Sequence, residues 1–201
     1  VNVLVLDIAH GHSKYAGKVL DYLKQLHPNV DVIAGNIATK DAAEYFVSKG
    51  ADAVKVGIGP GAVCTTRENT GVGVPQLTAI MDVYEATQGR VPIIADGGIK
   101  KPGDVVKALG AGANTVMCGY IFAGTDECPS FDTHGSIYRG SSTSEVKGEL
   151  AYVEGKEIKV ERKGPVKEVV RRYLDGLASG MTYVGASSLD KLVGKADFML
   201  K

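Results

Sequence analysis

The chain has no excess of charge, no long apolar run and few cysteines, and each shortage removes a class of protein. Its 201 residues carry 23 Lys and Arg against 23 Asp and Glu, with four His taken as neutral. A field of zero net charge attracts neither the polyanion of a nucleic acid nor an anionic membrane surface, so neither partner is expected. The apolar runs, such as residues 1–8 and 91–95, fall well short of the roughly 20 residues needed to cross a bilayer. Three cysteines, Cys64, Cys118 and Cys128, are an odd number without metal-ligand spacing. That usage predicts reduced thiols in the cytoplasm or another reducing intracellular compartment. The chain also lacks an initial Met and opens on Val1 inside a strand-like run. The expectation is that an N-terminal portion precedes it, so targeting signals at that end are not read. Glycine is plentiful, with 26 residues in a chain 44% hydrophobic, and it gathers in loops instead of a collagen-like period, as in a globular protein.

Five short β-branched runs, at 3–8, 30–34, 53–57, 91–95 and 115–118, alternate with helical patterns. Each is predicted to be a parallel strand with both faces covered, because it is apolar throughout. After the first, Val19, Leu20, Leu23 and Leu26 fall at helical spacing; after the second, Thr39 stands as the N-cap of a helix over 40–48 that Gly50 closes. Leu77, Ile80, Met81 and Tyr84 share a face over 75–86, and Pro102 opens a further helix through Leu109. Such alternation gives an α/β fold, either a doubly wound sheet or a (β/α)8 barrel. Every strand runs into polar or glycine-rich residues, at 7–12, 35–36, 57–66, 96–98 and 119–120. That arrangement favours a barrel whose working surface lies at the carboxyl ends of its strands. A barrel needs eight strands and typically about 250 residues, so these five are expected to be its later part.

Residues 1–123 thus read as the βα units of a barrel, 124–164 as an insertion, and 165–201 as the closing helix and C-terminal segment of the same barrel. The insertion is polar, with Gly135, Gly140, Gly148 and Gly155 and the serines Ser141, Ser142 and Ser144. It is expected to be poor in secondary structure, a lid or a linker, with a surface hairpin as the alternative. Beyond it Val166, Val169, Val170, Tyr173, Leu174 and Leu177 mark an amphipathic helix, and Leu189 and Leu192 a short second one.

Two glycine sites follow consecutive strands, Gly97-Gly98 after Asp96 and Gly119 before Tyr120. Glycines let backbone N–H groups approach phosphate oxygens, and the last two strand-following loops of a barrel often do this, so a phosphorylated ligand is expected; plain tight turns are the alternative. The segment 57–67, GIGPGAVCTTR, carries Cys64 in a glycine-rich loop that leaves its sulfur unobstructed. Arg67 is expected to favour the nucleophilic thiolate. Cys118 reads as a small buried hydrophobe and Cys128 as incidental.

GIGPGAVCTTR, together with GVGVPQLTAI, IIADGGI, GDVVKALGAGA and MTYVGA, resembles the purine nucleotide barrel family that contains IMP dehydrogenase and GMP reductase. The likeness runs from LDIAHGHS near the start to TYVGASSLDKL near the end, almost the whole chain. It implies a (β/α)8 (TIM) barrel of which this chain supplies the fourth to eighth strands, with a flap after the last; the first three strands and any regulatory domain pair would precede Val1. It implies that Cys64 attacks carbon 2 of a purine nucleotide to form a thioimidate, that Asp96 binds the ribose hydroxyls, and that Gly97, Gly98, Gly119 and Tyr120 hold the phosphate, with Tyr138, Gly140, Ser141 and Ser142 completing the nucleotide site. Asp7, Ile8, Ala9, Asn36, Ile58 and Gly59, with Ser179, Gly180 and Thr182, resemble the residues that meet the nicotinamide cofactor. The backbone carbonyls of Gly59, Gly61 and Cys64 resemble a site for a monovalent cation such as K+, and a homotetramer is implied. Two departures, Ala62 where many members have a serine and Tyr120 where a small residue is usual, imply rearranged phosphate contacts.

The family's two reactions share the thioimidate and differ in its fate. The dehydrogenase flap carries an Arg-Tyr pair as its water-activating base, and no such dipeptide occurs here between Tyr138 and Lys163; Arg172-Tyr173 falls on the following helix. The segment YRGSSTSEVKGELAYVEGKEIKVERKG is instead similar to the shorter reductase flap ending in Glu-Gly-Lys, where the glutamate pairs with the threonine two residues past the cysteine. The resemblance therefore implies Cys64, Thr66 and Glu154 as the catalytic set of an NADPH-dependent reduction of GMP to IMP and ammonia. NAD-dependent oxidation of IMP to XMP with an atypical flap is the alternative, and an exposed lid carboxylate is the alternative for Glu154. A non-catalytic nucleotide-binding relative is the third reading, which an intact Cys64-Thr65-Thr66 disfavours.

Overall fold

A computed structural model describes residues 1–129, 131–132, 135–140 and 155–199. Strands and helices alternate through β1 (Val3–Asp7), α1 (Lys14–Leu26), β2 (Asp31–Ile37), α2 (Lys40–Ser48) and β3 (Ala53–Val56). The one-turn α3 (Thr66–Thr70) then precedes α4 (Gln76–Thr87), β4 (Ile93–Asp96), α5 (Pro102–Gly110) and β5 (Thr115–Met117). Helix starts follow from local chemistry. Ser13 and Thr39 accept the backbone N–H of Ala16 and Ala42, at 3.2 and 3.3 Å. The Asp104 carboxylate accepts those of Lys100 and Lys101, at 3.0 and 2.8 Å, ahead of Pro102, so donors that a helix start leaves open are satisfied.

All five strands pair in parallel in sequential order, β1-β2-β3-β4-β5. A doubly wound sheet would reverse its order at a switch point and carry helices on both faces. Here the helices pack on one face, where Leu20, Ala42, Phe46, Ile80, Val83 and Leu109 join Val32, Ala34, Val54, Val56, Ile93 and Ala95 in one core. Sequential parallel strands backed by helices on one side are part of a (β/α)8 barrel.

Helices cover the first face of the sheet, and in a barrel the second face is turned inward. Alternate positions point to the second face, where Val3 and Val5 of β1 and Met117 of β5 are exposed and where Asp7, Lys55 and Asp96 also lie. The run at 53–57 was expected to be apolar throughout, yet it contains Lys55, which is buried.

The insertion also differs from the expectation of little structure. After β5 the chain forms an antiparallel sheet of β6 (Phe131–Asp132), β7 (Gly135–Arg139) and β8 (Glu157–Val160). Its ends are tied together, since Thr125 bridges Gly164 and Arg162 holds both carboxylate oxygens of Asp126 at 2.7 and 2.9 Å. Then follow α6 (Val166–Tyr183) and the short α7 (Leu189–Leu192). On α6, Gly176 and Gly180 lie against Pro102 and Val106 of α5, where a Cβ would come within 2.3 and 2.6 Å, so two small residues one turn apart let the helices approach closely.

Asp52 ties α1 to the sheet by accepting both Lys24 Nζ and Val32 N–H at 2.7 Å. Burial pushes its carboxyl up, but the Lys24 and Val32 hydrogen bonds outweigh it and leave the pKa below the usual value. A carboxylate with a lowered folded pKa contributes stability above its unfolded pKa and loses it as pH falls through the folded one. Asp52→Asn should therefore lower stability at neutral pH and flatten the acid side of a stability profile measured by urea unfolding. In the same assay Phe46→Ala, which empties a fully buried position between α2 and the sheet, should cost about 3–5 kcal/mol.

Candidate active site

The carboxyl ends of β1 to β4 and the insertion surround a cleft of about 700 Å³, a volume suited to a small-molecule ligand. Its charged floor is made by strand register. Asp7 pairs with Gly35 across β1-β2, and Gly35 pairs with Lys55 across β2-β3. Gly35 has no side chain, and a Cβ there would sit 2.7 Å from Lys55 Cβ, so the gap admits the lysine. Lys55 Nζ lies 2.9 Å from Asp7 Oδ1 and 2.5 Å from Asp96 Oδ2. Asn36 donates from Nδ2 to the same Asp96 oxygen at 2.9 Å and to the Gly57 carbonyl at 2.8 Å. Its Oδ1 is buried without a hydrogen-bond partner, an acceptor available to a ligand hydroxyl or amide.

The cysteine loop leaves β3 through Gly57, whose φ of 150° and close approach to the Asp96 carbonyl, 2.1 Å from a built Cβ, exclude any side chain. Gln76 at the start of α4 donates to the Val56 and Asp96 carbonyls at 2.8 and 3.2 Å, fixing β3 and β4 relative to each other. Arg67 departs from its expected role. Its Nε and Nη2 donate to the Ile58 carbonyl at 3.2 and 3.1 Å, and Nη2 also to that of Val74. The guanidinium thus holds the two ends of the loop together, and these donors are committed to carbonyls instead of the thiol.

Cys64 donates from Sγ to Thr66 Oγ1 at 3.3 Å. Its backbone bridges Gly155 of the insertion, and Lys156 N–H donates to the Val63 carbonyl at 2.9 Å. The insertion therefore docks directly on the cysteine loop. From β7, Tyr138 reaches the cleft, packs edge-on against Tyr120 at 5.8 Å between ring centres, and sets its hydroxyl over Gly119. Burial, and then the Asp96 charge, raise the pKa of both Tyr138 and Cys118, so Tyr138 faces the cleft as a neutral hydroxyl. Lys163 anchors the turn after β5 by donating to the Tyr120 carbonyl at 2.8 Å with its ammonium over the Tyr120 ring; burial lowers its pKa.

Of the residues singled out in the sequence, Asp7, Ile8, Ala9, Asn36, Ile58, Gly59, Gly61, Cys64, Thr66, Asp96, Gly97, Tyr138 and Gly140 line this one cleft. Gly98 does not; it faces the Gln76 side chain. Gly119 and Tyr120 stand behind Tyr138 instead of on the cleft wall. Ser179, Gly180 and Thr182 lie on α6 outside this cleft, Gly180 packed on α5, Ser179 and Thr182 exposed, and Thr182 Oγ1 donating to the Ala178 carbonyl. Ser141, Ser142 and Glu154 lie outside the described residues. Sequence reading missed Lys55 and Arg139. The signal for Lys55 was a lone lysine inside a β-branched run; Arg139, paired with Glu157, had none beyond its place next to Tyr138.

Comparison with known proteins agrees with this geometry. A model of the IMP dehydrogenase / GMP reductase domain matches residues 1–201. The chain is 45% identical to an inosine-5'-monophosphate dehydrogenase of Aquifex aeolicus, over 99% of its own length and 44% of that protein's. It is 44% identical to one of Borreliella burgdorferi, covering 54% of that protein. A solved GMP reductase variant of Trypanosoma brucei, in complex with guanosine 5'-monophosphate, superposes with a TM-score of 0.87 at 43% identity, over 96% of this chain and 43% of that one. The chain thus spans about half the length of the curated relatives it matches. An α/β fold of sequential parallel strands, a cysteine loop at their carboxyl ends and a family match over every residue together place the chain in the IMP dehydrogenase / GMP reductase family of oxidoreductases.

Proposed function

We propose that this chain carries the catalytic machinery of an NADPH-dependent GMP reductase, converting GMP to IMP and ammonia through a cysteine adduct. The observation that carries this reading is the docking of the insertion on the nucleophile. Cys64 contacts Thr66 through its side chain and Gly155 through its backbone, and Glu154 precedes Gly155 in the sequence. A proton-transfer pair of Thr66 and Glu154 is what deamination needs. The Cys64 thiolate adds to carbon 2 of GMP, the bond from carbon 2 to the exocyclic nitrogen breaks, and the amine leaves as ammonia only after taking a proton, which the Glu154 carboxyl supplies through the Thr66 hydroxyl. NADPH, when bound, supplies the hydride to carbon 2, after which the carbon–sulfur bond breaks and the thiolate is restored.

Asp96, Gly97 and Tyr138 line the cleft and are assigned to the nucleotide, and Asp7, Ile8, Ala9 and Asn36, which line it beside them, to the cofactor. The orphaned Asn36 Oδ1 and the exposed Asp7 carboxylate suit the hydroxyls of a nicotinamide ribose. The carbonyls of Gly59, Gly61 and Cys64 remain the candidate ligands for K+. That of Gly61 already accepts the Cys64 N–H at 3.2 Å and keeps one lone pair for an ion.

A second reading, IMP dehydrogenase, is favoured by the naming of relatives 44–46% identical to this chain. The two readings part on nicotinamide absorbance. Consumption of NADPH with GMP supports the reductase, and formation of NADH from IMP the dehydrogenase.

Cys64→Ser should abolish turnover while nucleotide binding, followed by calorimetry, is retained; near-parent turnover would sink the covalent route. Glu154→Gln should slow ammonia release from GMP by about 10²–10⁴-fold, the usual worth of general acid–base catalysis, and slow hydride transfer much less. Parallel single-turnover measurements of both steps check this, and equal small effects would remove Glu154 from the mechanism.

A further inference from the structure

We propose that Lys55 is a positioning residue that holds Asp7 and Asp96 on one buried ammonium and so fixes as a unit the two adjacent carboxylates that face the cleft. The inference rests on the functional reading above, in which Asp96 meets the nucleotide and Asp7 the nicotinamide cofactor.

The Lys55 side chain is 2% exposed, whereas those of Asp7 and Asp96 are 67% and 25% exposed. The cation is therefore withdrawn from solvent, and the anions it holds face the cleft. Its contacts fall on Asp7 Oδ1 and Asp96 Oδ2, and Asn36 also donates to Asp96 Oδ2, so the second oxygen of each carboxylate is left for a ligand. Stability does not account for such an arrangement. A buried ion group offers little over apolar packing of similar volume, because desolvating the charges offsets their attraction. The space for the lysine is also specific, because it depends on the absent side chain of Gly35 in the layer between the two partners. The other groups that feel the Asp96 charge are Tyr138 and Cys118, and Asn36 is neutral. Lys55 is thus the cation that both carboxylates share.

Two carboxylates on one ammonium do not act independently. A ligand hydroxyl that draws on one changes the share of positive charge left to the other. Removing the lysine leaves the two anions without their common partner, so neither is held in place for a ligand. Removing one anion leaves the whole cation to the other, whose position then shifts.

The test uses the full chain, with Lys55→Met, Lys55→Arg and Asp7→Asn. Parent turnover with GMP and NADPH, and with IMP and NAD, is measured first. Lys55→Met should lower kcat/KM on the order of 10²-fold, the cost of a small misplacement of reacting groups, and should raise KM for both the nucleotide and the nicotinamide cofactor. Lys55→Arg should return both KM values towards the parent, because it keeps the charge. Asp7→Asn should raise KM for the nucleotide as well as for the cofactor, because Asp7 and Asp96 share one ammonium. That arm keeps the proposal testable if Lys55→Met does not fold. A variant of Lys55 with a lowered melting temperature but parent-like KM values, or an unmoved nucleotide KM in Asp7→Asn, would assign Lys55 to the structure alone and overturn the inference. A parent that turns over neither pair of substrates, by contrast, would overturn the functional reading and this inference with it.

Discussion

An ammonium shut away from water must be neutralised where it lies, and the working face of this sheet is arranged around that requirement. Lys55 sits in the middle strand of five and draws a carboxylate from β1 on one side and another from β4 on the other. Three strands are thereby tied at their carboxyl ends by one charge. The tie works because the intervening β2 position is glycine, so the side chain crosses it without obstruction. Asn36, one residue further along β2, adds a neutral donor to the same Asp96 oxygen and completes a polar layer above an otherwise apolar core.

The loops then inherit this fixed base. Gly57 carries the chain out of β3 so close to the Asp96 carbonyl that a side chain is excluded, and Gln76 locks the same two strand ends from the side of α4. Arg67 gathers the carbonyls of Ile58 and Val74, so the loop between them is a closed ring instead of a free arm. Cys64 is presented from that ring with Thr66 at its sulfur and the insertion at its backbone. Placement of this cysteine thus depends on rigid strand ends, on one arginine that closes the loop, and on an added antiparallel sheet that reaches over from β5. Such placement is what the proposed covalent route needs, because a reacting pair held in alignment reacts far faster than one that must find it.

Much of this was legible before the fold. The cap at Thr39, Pro102 at a helix start, short continuous β-branched runs and apolar spacing near 3.6 residues are local signals, since each depends on residues a few positions apart. The five strands, the helices between them and the glycine-rich strand ends follow from such signals, and the GIGPGAVCTTR run carries its family likeness in eleven adjacent residues. The cysteine loop, Asp7, Asn36 and Asp96 converge on one cleft because parallel strands place all their carboxyl ends on the same side.

Other properties required the tertiary structure, because they depend on which residues meet across strands and helices far apart in sequence. Which residues of a strand meet the helices and which face the cleft depends on how the strands are set in the sheet, and an apolar run by itself does not say. Arg67 read as an activating cation because it follows Cys64 closely, yet side-chain length and the loop's return at Val74 took its guanidinium to backbone carbonyls. Gly180 resembles a cofactor contact, and the structure adds that it lies against Val106 of α5, outside the cleft. Lys55 is the clearest case. Composition marks it as one charge in an apolar run, whereas strand register, the missing side chain of Gly35 and carboxylates from two other strands make it the centre of the site.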